Sequence, residues 1–180
     1  MQFSEHWLRQ FVNPKLNADE LGQALTMAGL EVEEQELAAP LFNNVVVGEI
    51  ISAEKHPNAD RLQLCLVDAG QAEPLQIVCG APNARVGLKA PCAMVGAKLT
   101  DFKIKRAKVR GIESLGMMCS AKELGLAEEA DGLLEFPVSA KNGQDIREYL
   151  DLDDTLYTIK LTPNRADCLS ILGVARDVVA

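Results

Sequence analysis

The chain has 180 residues, 48% of them hydrophobic and 24% charged, with a formal net charge of -8. This composition is ordinary for a folded soluble protein, and the length allows one large domain or two small ones. No stretch approaches the roughly 20 apolar residues of a membrane span, and the start lacks the basic and then apolar blocks of a signal peptide.

The cysteines are five in number, scattered, and without a CxxC pair. This usage predicts reduced, buried thiols in a cytosolic protein and speaks against a disulfide framework or a zinc site. They are Cys65, Cys79, Cys92, Cys119 and Cys168.

Charge divides the chain into a middle and two acidic flanks. Residues 1–40 hold 7 acids and 2 bases, and residues 151–180 hold 5 acids and 3 bases. Residues 41–150 hold 14 acids and 13 bases and are close to neutral. This unevenness indicates separate structural units.

The first flank predicts two helices and a strand. Apolar residues at helical spacing predict a short helix over residues 4–12. Asn17, followed by Glu20 three residues later, resembles a capping box, and the helix it opens should end at Gly29. Residues 30–34 alternate like a strand, and the Ala-Ala-Pro at 38–40 is typical of a boundary.

The middle predicts a small closed barrel, because short strands alternate with turns rich in Gly, Pro and Asn. The first strand is the β-branched run at 45–51, with Gly48 as a candidate bulge. Residues 62–67, 75–79 and 92–95 predict further strands. In the run at 62–67 the three leucines share one face, and in the run at 75–79 Leu75, Ile77 and Cys79 do so.

The remainder predicts a helix opened by a capping box at Ser120 and Glu123, and strands at 132–137 and 155–161. A last helix carries one apolar stripe, made of Cys168, Leu172, Ala175 and Val179. This helix runs to Ala180 without a stop signal, which predicts that the chain is part of a longer protein. Each flank is too small to bury a core alone, so we expect the flanks to pack together with the barrel inserted between them.

A cationic run at 103–110 is the strongest functional signal. Five of its eight residues are Lys or Arg, in an acidic chain. As a strand, it would place Arg106, Lys108 and Arg110 on one face, about 6–7 Å apart, with Ala107 and Val109 inward. This spacing suits the phosphates of a nucleic acid. Charges that protect a strand edge explain the run equally well, whereas a basic membrane helix is disfavoured by Val109-Arg-Gly111 and the lack of apolar anchors.

Catalysis and metal binding have little support in the sequence. His6 and His56 are the only histidines, and their positions predict structural or surface roles. GxSxG, HExxH and Walker-type motifs are absent from the sequence. We therefore predict no catalytic residue and no metal site in this chain.

Aromatic residues are too few for base stacking to dominate binding. Residues 41–150 contain Phe42, Phe102, Phe136 and Tyr149, and only Phe102 adjoins the cationic run. RNA would then be held through its backbone and shape, with weak sequence specificity and strong salt dependence.

Six motifs in order along the chain resemble the N-terminal part of bacterial phenylalanine–tRNA ligase β subunits. The middle motifs alone would indicate only the wider family of OB-fold tRNA-binding domains, whereas the two end motifs are specific to the β subunit. The motifs are Thr26-Met-Ala-Gly-Leu-Glu-Val, His56-Pro-Asn-Ala-Asp-Arg-Leu, Ile77-Val-Cys-Gly-Ala-Pro-Asn, Lys103-Ile-Lys, Gly116-Met-Met-Cys-Ser and Leu161-Thr-Pro-Asn-Arg-Ala-Asp-Cys-Leu.

The resemblance implies a mixed, mainly β fold: an OB-fold barrel over 40–150, inserted into a small α+β domain made of residues 1–39 and 151–180. It implies a cytoplasmic parent enzyme of two α and two β subunits, which joins phenylalanine to its tRNA with ATP and magnesium. Catalytic residues would lie in the α subunit, and the editing and magnesium positions of the β subunit beyond residue 180. The partners implied are tRNA and the α subunit, with no membrane and no cofactor in this chain.

The resemblance also implies RNA contacts on one face of the barrel. Each has a structural alternative: Asn83 can shape its turn, Ser114 can close the turn at 111–114, and Ser120 can cap a helix. The whole domain can equally be a packing module whose RNA contact is incidental. The implied contacts are Asn83, Lys103, Lys105, Arg106, Lys108, Arg110, Ser114 and Ser120.

Overall fold

The computed structural model describes residues 1–100 and 102–179. The chain divides into two compact units, one formed by Met1–Ala39 with Leu152–Ala180 and the other by Pro40–Asp151. No helix in the described ranges combines the length and apolarity that a membrane crossing requires. The predicted end of the last helix at Ala180 lies outside the described residues.

Strands and helices follow one another along the described chain as follows. They are β1 (Gln2–Ser4), α1 (Glu5–Arg9), α2 (Ala18–Met27), β2 (Glu31–Leu37), β3 (Asn43–Lys55), β4 (Gln63–Asp68), β5 (Leu75–Cys79), β6 (Lys89–Lys98), β7 (Ala107–Val109), β8 (Ile112–Ser114), β9 (Gly116–Met118), α3 (Ile146–Tyr149), β10 (Thr155–Lys160), a 3₁₀ helix (Pro163–Cys168) and α4 (Ile171–Val179).

The unit that contains both ends of the chain is a three-stranded antiparallel sheet covered by helices. Its strand order is β1-β10-β2, so a strand from the second flank lies between two strands from the first. Tyr157 of β10 is fully buried and packs against Phe3 of β1, with ring centroids 5.6 Å apart. The two flanks therefore share one hydrophobic core, which neither segment could bury alone.

The capping box that opens α2 is confirmed. The Asn17 side chain accepts a hydrogen bond from the backbone N–H of Glu20, and the Glu20 carboxylate accepts one from the backbone N–H of Asn17, both over 2.9 Å. Gly29 ends the helix region at a φ of +88°, as predicted. Each contact satisfies a backbone group that a helix end leaves unpaired.

Two predictions in this unit are wrong in detail. The helix within 4–12 is only Glu5–Arg9, because residues 2–4 pair with β10 as β1 and Ser4 becomes the helix cap. The apolar stripe on the last helix is turned: Val174 and Ala175 are buried, whereas Leu172 is half exposed. Packing against α1 and α2 selects the buried face of a helix that is apolar on several sides.

The second unit is built on a five-stranded antiparallel sheet with the order β5-β4-β3-β6-β9. Its two end strands come together, because the N–H of Leu115, just before β9, donates to the carbonyl of Gln76 in β5 over 2.8 Å. The result is a nearly closed barrel. The predicted mixed, mainly β fold with an OB-type barrel is confirmed.

The structure adds two details to the barrel pattern read from sequence. The leucines at 62–67 share one face, as predicted, and this face is the outer one, because Cys65 and Val67 of β4 are fully buried. Gly48 is not a bulge; the register shifts beside Ile51 and Asn44 instead. A Cβ at Gly48 would lie 2.7 Å from Cβ of Cys92, so this glycine permits side chains of the neighbouring strand β6 to pack closely against β3.

Two predicted elements after β9 are not formed as such. The residues after Ser120 make turns and no α-helix, although the capping contacts with Glu123 are present. The segment 132–137 forms an isolated bridge between Phe136 and Lys89 rather than a strand. In both places, the local signal starts an element that does not propagate along the chain. All five cysteines are free and buried, as predicted.

Candidate nucleic-acid interface

The cationic run lies on a small hairpin that is separate from the five-stranded sheet. We call residues 103–114 the basic hairpin. Its strands β7 and β8 pair with Lys108 opposite Glu113 and Val109 opposite Ile112. Arg110 and Gly111 connect them as a two-residue turn.

The turn of the basic hairpin has the backbone of type I′. Arg110 has a φ of +49° and Gly111 a φ of +92°. Such turns match the twist of paired strands, but the first position usually holds Asn, Asp or Gly. An arginine in the left-handed region costs about 1 kcal/mol relative to those residues. The hairpin therefore tolerates a strained backbone conformation at the residue that places a cation at its tip.

All five cations of the basic hairpin are exposed. Between Lys103 and Lys105, Ile104 is buried and pairs with the end of β6: its N–H donates to Ala97 over 2.8 Å, and its carbonyl accepts from Gly96 over 2.9 Å. This anchor forces the flanking lysine side chains outward. The exposed cations are Lys103, Lys105, Arg106, Lys108 and Arg110.

The predicted stripe of three cations on one strand is wrong in geometry. Strand β7 covers only Ala107–Val109, so Arg106 precedes it and Arg110 lies in the turn. Ala107, predicted to point inward, is exposed, whereas Val109 is half-buried. The hairpin reverses direction at Arg110, and this reversal ends the two-residue period of the strand. All five cations are nevertheless exposed and lie within residues 103–110.

One acidic residue partly neutralises the positive charge of the basic hairpin. The Arg106 guanidinium lies 3.6 Å from the Glu113 carboxylate, and both side chains are well exposed. An exposed ion pair of this kind contributes little to stability and is readily exchanged for another anion. For the other four cations, the described residues offer no ion pair within 4 Å. The surface therefore keeps an excess of positive charge.

Ser114 ties the base of the hairpin to the barrel. Its side chain is buried, its hydroxyl accepts from the N–H of Val78 over 3.1 Å, and it donates to the carbonyl of Gly116 over 2.9 Å. Gln76 adds a bond from its side-chain amide to the carbonyl of Glu113 over 2.7 Å. These contacts join β8 to β5 where the barrel closes. They give Ser114 a structural role, and RNA contact by its side chain stays a prediction.

The loop before β4 holds the other strand of the hairpin, through two residues that sequence reasoning did not select. The buried His56 ring bonds the carbonyl of Val109, and the Asn58 side chain bonds the carbonyl of Arg110. From the sequence, His56 was expected only to have a structural or surface role, and Asn58 was given no role. The signal that could have identified them is that the His56 and Asn58 side chains, close together in one loop, can both donate hydrogen bonds to backbone carbonyls.

Asn83 uses both the nitrogen and the oxygen of its side-chain amide in hydrogen bonds. It accepts from the N–H of Leu133 over 2.9 Å, and it donates to the carbonyl of Leu133 and to Glu135, each over 3.0 Å. Arg85 also pairs with Glu135 over 2.7 Å. The hydrogen bonds from Arg85 and then Asn83 lower the pKa of Glu135 to about 2. Asn83 thus links its loop to residues 133–135, and direct RNA contact by it stays a prediction.

Ser120 caps the turn that follows it. Its hydroxyl and its N–H both bond the Glu123 carboxylate, and the side chain is buried. With Met118, Glu123 and Leu133 it lines a cavity of about 370 Å³. Ser120 and Asn83 therefore both adjoin the segment around Leu133, and their bonds do not run to the basic hairpin. The structure brings the five predicted cations together and places the three polar residues in supporting contacts.

The unit with both chain ends holds a group of potential metal ligands: Asp167, Cys168 and Asp177 have ligand atoms within 4.8 Å of one another. The guanidinium of Arg165 bonds Asp177 and the thiol of Cys168, and also donates to the carbonyl of Ala28. A fixed cation in this position compensates the carboxylates. The group therefore serves as a clamp between the ends of helices.

Residues 45–145 match the model of a family described as "Putative tRNA binding domain". The chain is 69% identical over 180 residues to the phenylalanine--tRNA ligase beta subunit of Aromatoleum aromaticum, and 65% identical over 181 residues to that of Dechloromonas aromatica. Each alignment covers 100% of this chain and 23% of the relative, so the chain spans 23% of the length of these curated relatives. A solved structure, that of the MetRS related protein from Pyrococcus horikoshii, matches at 26% identity over 57% of this chain and 87% of that chain, with a TM-score of 0.42.

Proposed function

Because the chain belongs to the tRNA-binding domain family, we propose that it binds tRNA through the basic hairpin as part of a phenylalanine–tRNA ligase β subunit. The observation that carries this proposal is the collection of five exposed cations on one hairpin of a chain whose net charge is -8. Lys and Arg side chains that contact a nucleic acid neutralise its phosphates and release bound counterions.

The hairpin contacts the RNA backbone rather than stacked bases. Phe42 is buried beneath the guanidinium of Arg147, and Phe136 packs edge-on against Tyr149 with ring centroids 5.0 Å apart. Phe102 is exposed beside the hairpin and can offer one ring. Binding of this type discriminates weakly between sequences and weakens steeply with salt.

The parent protein would attach phenylalanine to its tRNA with ATP and magnesium, in the cytoplasm, as an assembly of two α and two β subunits. The names of the relatives support a ligase and a β subunit that has an α partner. This chain would contribute tRNA binding and a scaffold, while catalysis belongs to other parts of the assembly. A structural role for His56 agrees with the proposed absence of catalysis in this chain, because both nitrogens of its buried ring are bonded to backbone groups.

A second function, packing against other domains, is favoured by apolar residues on the outer face of the barrel. Ile51 is 44% exposed and Leu66 40% exposed, and both lie where β3 and β4 pair beside a register shift. Val86, in the loop that bonds Ile50, is 62% exposed. Neighbouring apolar side chains of this kind mark contact surfaces. Under this second function, the cations would only solubilise the barrel.

Replacing Arg106, Lys108 and Arg110 together by Ala separates the two functions. As a matched control, Lys15, Lys122 and Lys141 are replaced by Ala, which removes the same charge from exposed positions elsewhere. Affinity for tRNA is measured across a salt series. Because each phosphate contact contributes a slope of about -0.9 to log K against log salt, losing three contacts should flatten the slope by two to three. Equal slopes for the hairpin variant and the control would support packing instead.

A further inference from the structure

The pairing of β7 with β8 is too short to fix the position of the basic hairpin by itself. Strands β7 and β8 have three residues each, and they form a sheet of their own beside the barrel. A two-stranded hairpin of this size is only marginally stable in water. The bonds from Gln76 and Ser114 hold β8, and the pairing of Ile104 with β6 holds the chain three residues before β7. Strand β7 itself and the turn need further contacts.

His56 supplies the first of two contacts to β7. Its Nδ1 accepts a hydrogen bond from the backbone N–H of Asn58 over 3.1 Å, so the ring proton resides on Nε2. Nε2 therefore donates to the carbonyl of Val109, which lies 3.2 Å away. The ring is only 4% exposed, so this bond is shielded from competing water. The neighbouring bond thus sets the tautomer that the contact needs.

Asn58 supplies the second contact, to the next carbonyl along the chain. Its Nδ2 donates to the carbonyl of Arg110 over 3.1 Å. Arg110 is the residue in the left-handed region, and Gly111 follows it as the second residue of the turn. A donor fixed on this carbonyl opposes relaxation of the strained peptide to an ordinary conformation.

We propose that His56 and Asn58 form a latch that holds the turn of the basic hairpin and so presets the positions of Lys108 and Arg110 for a polyanion. They are positioning residues, since they act through backbone carbonyls of the hairpin. A preset hairpin avoids the entropy cost of ordering the cations on binding, and that saving strengthens binding. The inference rests on the proposed tRNA binding, and it adds the residues that tune the same surface.

Asn58→Ala tests the latch, because Asn58 is exposed and its loss should leave the barrel folded. Asn43→Ala is the matched control: Asn43 also bonds a distant backbone group, the N–H of Lys98 over 3.0 Å, but outside the hairpin. Both are made in the full chain, and binding of bulk bacterial tRNA is measured at low salt. Loss of one hydrogen bond of ordinary strength should weaken binding about fivefold in Asn58→Ala and leave Asn43→Ala near the unmodified chain.

A thermodynamic cycle distinguishes positioning from general destabilisation. In a background that carries Lys108→Ala and Arg110→Ala, Asn58→Ala should change tRNA affinity by less than about twofold, since the cations that it positions are gone. An undiminished fivefold effect in that background would overturn the proposal. His56→Gln, which keeps a side-chain donor of similar reach, should retain more affinity than His56→Ala.

Hydrogen exchange of residues 107–114 without tRNA keeps the latch and the proposed function distinguishable. Faster exchange in Asn58→Ala than in Asn43→Ala supports the latch. Unchanged exchange overturns it, whatever the RNA affinities. Faster exchange together with tRNA affinity that is insensitive to Lys108→Ala and Arg110→Ala would mean that the latch exists but the hairpin does not bind tRNA, which overturns the positioning role and the proposed function together.

Discussion

The hydroxyl of Ser114 accepts a hydrogen bond from the backbone N–H of Val78, 36 residues earlier in the chain, over 3.1 Å. This bond lies where the two end strands of the barrel sheet approach each other, and Ser114 is only 5% exposed. The side chain therefore substitutes for a missing strand–strand bond at the point of closure. A serine expected on the RNA-facing surface has a clear structural task.

Ser114→Ala should lower the free energy of unfolding by about 1–2 kcal/mol, because it leaves the Val78 N–H and the Gly116 carbonyl without this partner. At temperatures where both proteins are folded, affinity for tRNA should fall only modestly, because the bonds of Ser114 help to hold β8 of the basic hairpin. Urea denaturation and a binding titration measure the two quantities, with Ser139→Ala as the exposed-serine control. A large loss of affinity with unchanged stability would support direct RNA contact by Ser114.

Sequence reasoning succeeded where the signal is local. The capping box of Asn17 and Glu20 involves residues that are only three apart in the chain. The strands of the barrel can be recognised as apolar runs between turns rich in Gly, Pro and Asn. The five cations could be found as one group because they are contiguous in the chain. These features do not depend on what the rest of the molecule does.

Sequence reasoning failed where distant pairing decides. Both faces of β4 are apolar, so only pairing and closure settle that Cys65 lies inside and Leu66 partly outside. The cationic run has the pattern of one strand, but the chain turns at Arg110. This turn was not predicted from the sequence, because arginine rarely occupies the first position of such a turn. The contacts of His56 and Asn58 span more than 50 residues, and no local pattern reveals their partners.

The pair of Arg85 and Glu135 should give stability an acid-sensitive component. The pKa of Glu135 is held at about 2 by the hydrogen bonds from Arg85 and Asn83, below its usual value of 4.5. A depressed folded-state pKa contributes stability that is complete above the unfolded pKa and is lost as pH falls through the folded one. The contribution should thus decline between about pH 4.5 and pH 2.

Glu135→Gln tests this contribution, because glutamine keeps the shape and removes the charge. The unfolding midpoint in urea is measured from pH 2.5 to pH 6 for the unmodified chain, for Glu135→Gln and for Glu128→Gln, which removes an exposed charge elsewhere. The deficit of Glu135→Gln should be largest near pH 6 and shrink toward pH 2.5. A deficit that stays constant with pH would show that the ion pair does not carry it.

Gly48→Ala should be strongly destabilising for a steric reason. The added Cβ would lie 2.7 Å from Cβ of Cys92 and 2.8 Å from Cγ1 of Val67, inside a packed barrel. Overpacking of this kind costs about 2–3 kcal/mol. Gly87→Ala is the comparison, because Gly87 has a φ of +82° but open space around it, and its loss should cost about 1 kcal/mol. If Gly48→Ala costs no more than Gly87→Ala in denaturant titrations, the strands do not approach this closely.

Arg110→Asn should stabilise the protein and weaken tRNA binding at once. Asparagine is favoured at the first position of a type I′ turn, so unfolding should become less favourable by about 0.5–1 kcal/mol. The same change removes the cation at the tip of the basic hairpin, so tRNA affinity should fall and its salt dependence should flatten by about one phosphate contact. Arg110→Lys, which keeps the charge and the strain, should leave both quantities near those of the unmodified chain. Opposite signs for stability and affinity cannot arise from partial unfolding, so this pair of variants isolates the strain that the hairpin tolerates for the sake of charge. A stabilised Arg110→Asn protein with full affinity would remove Arg110 from the binding surface.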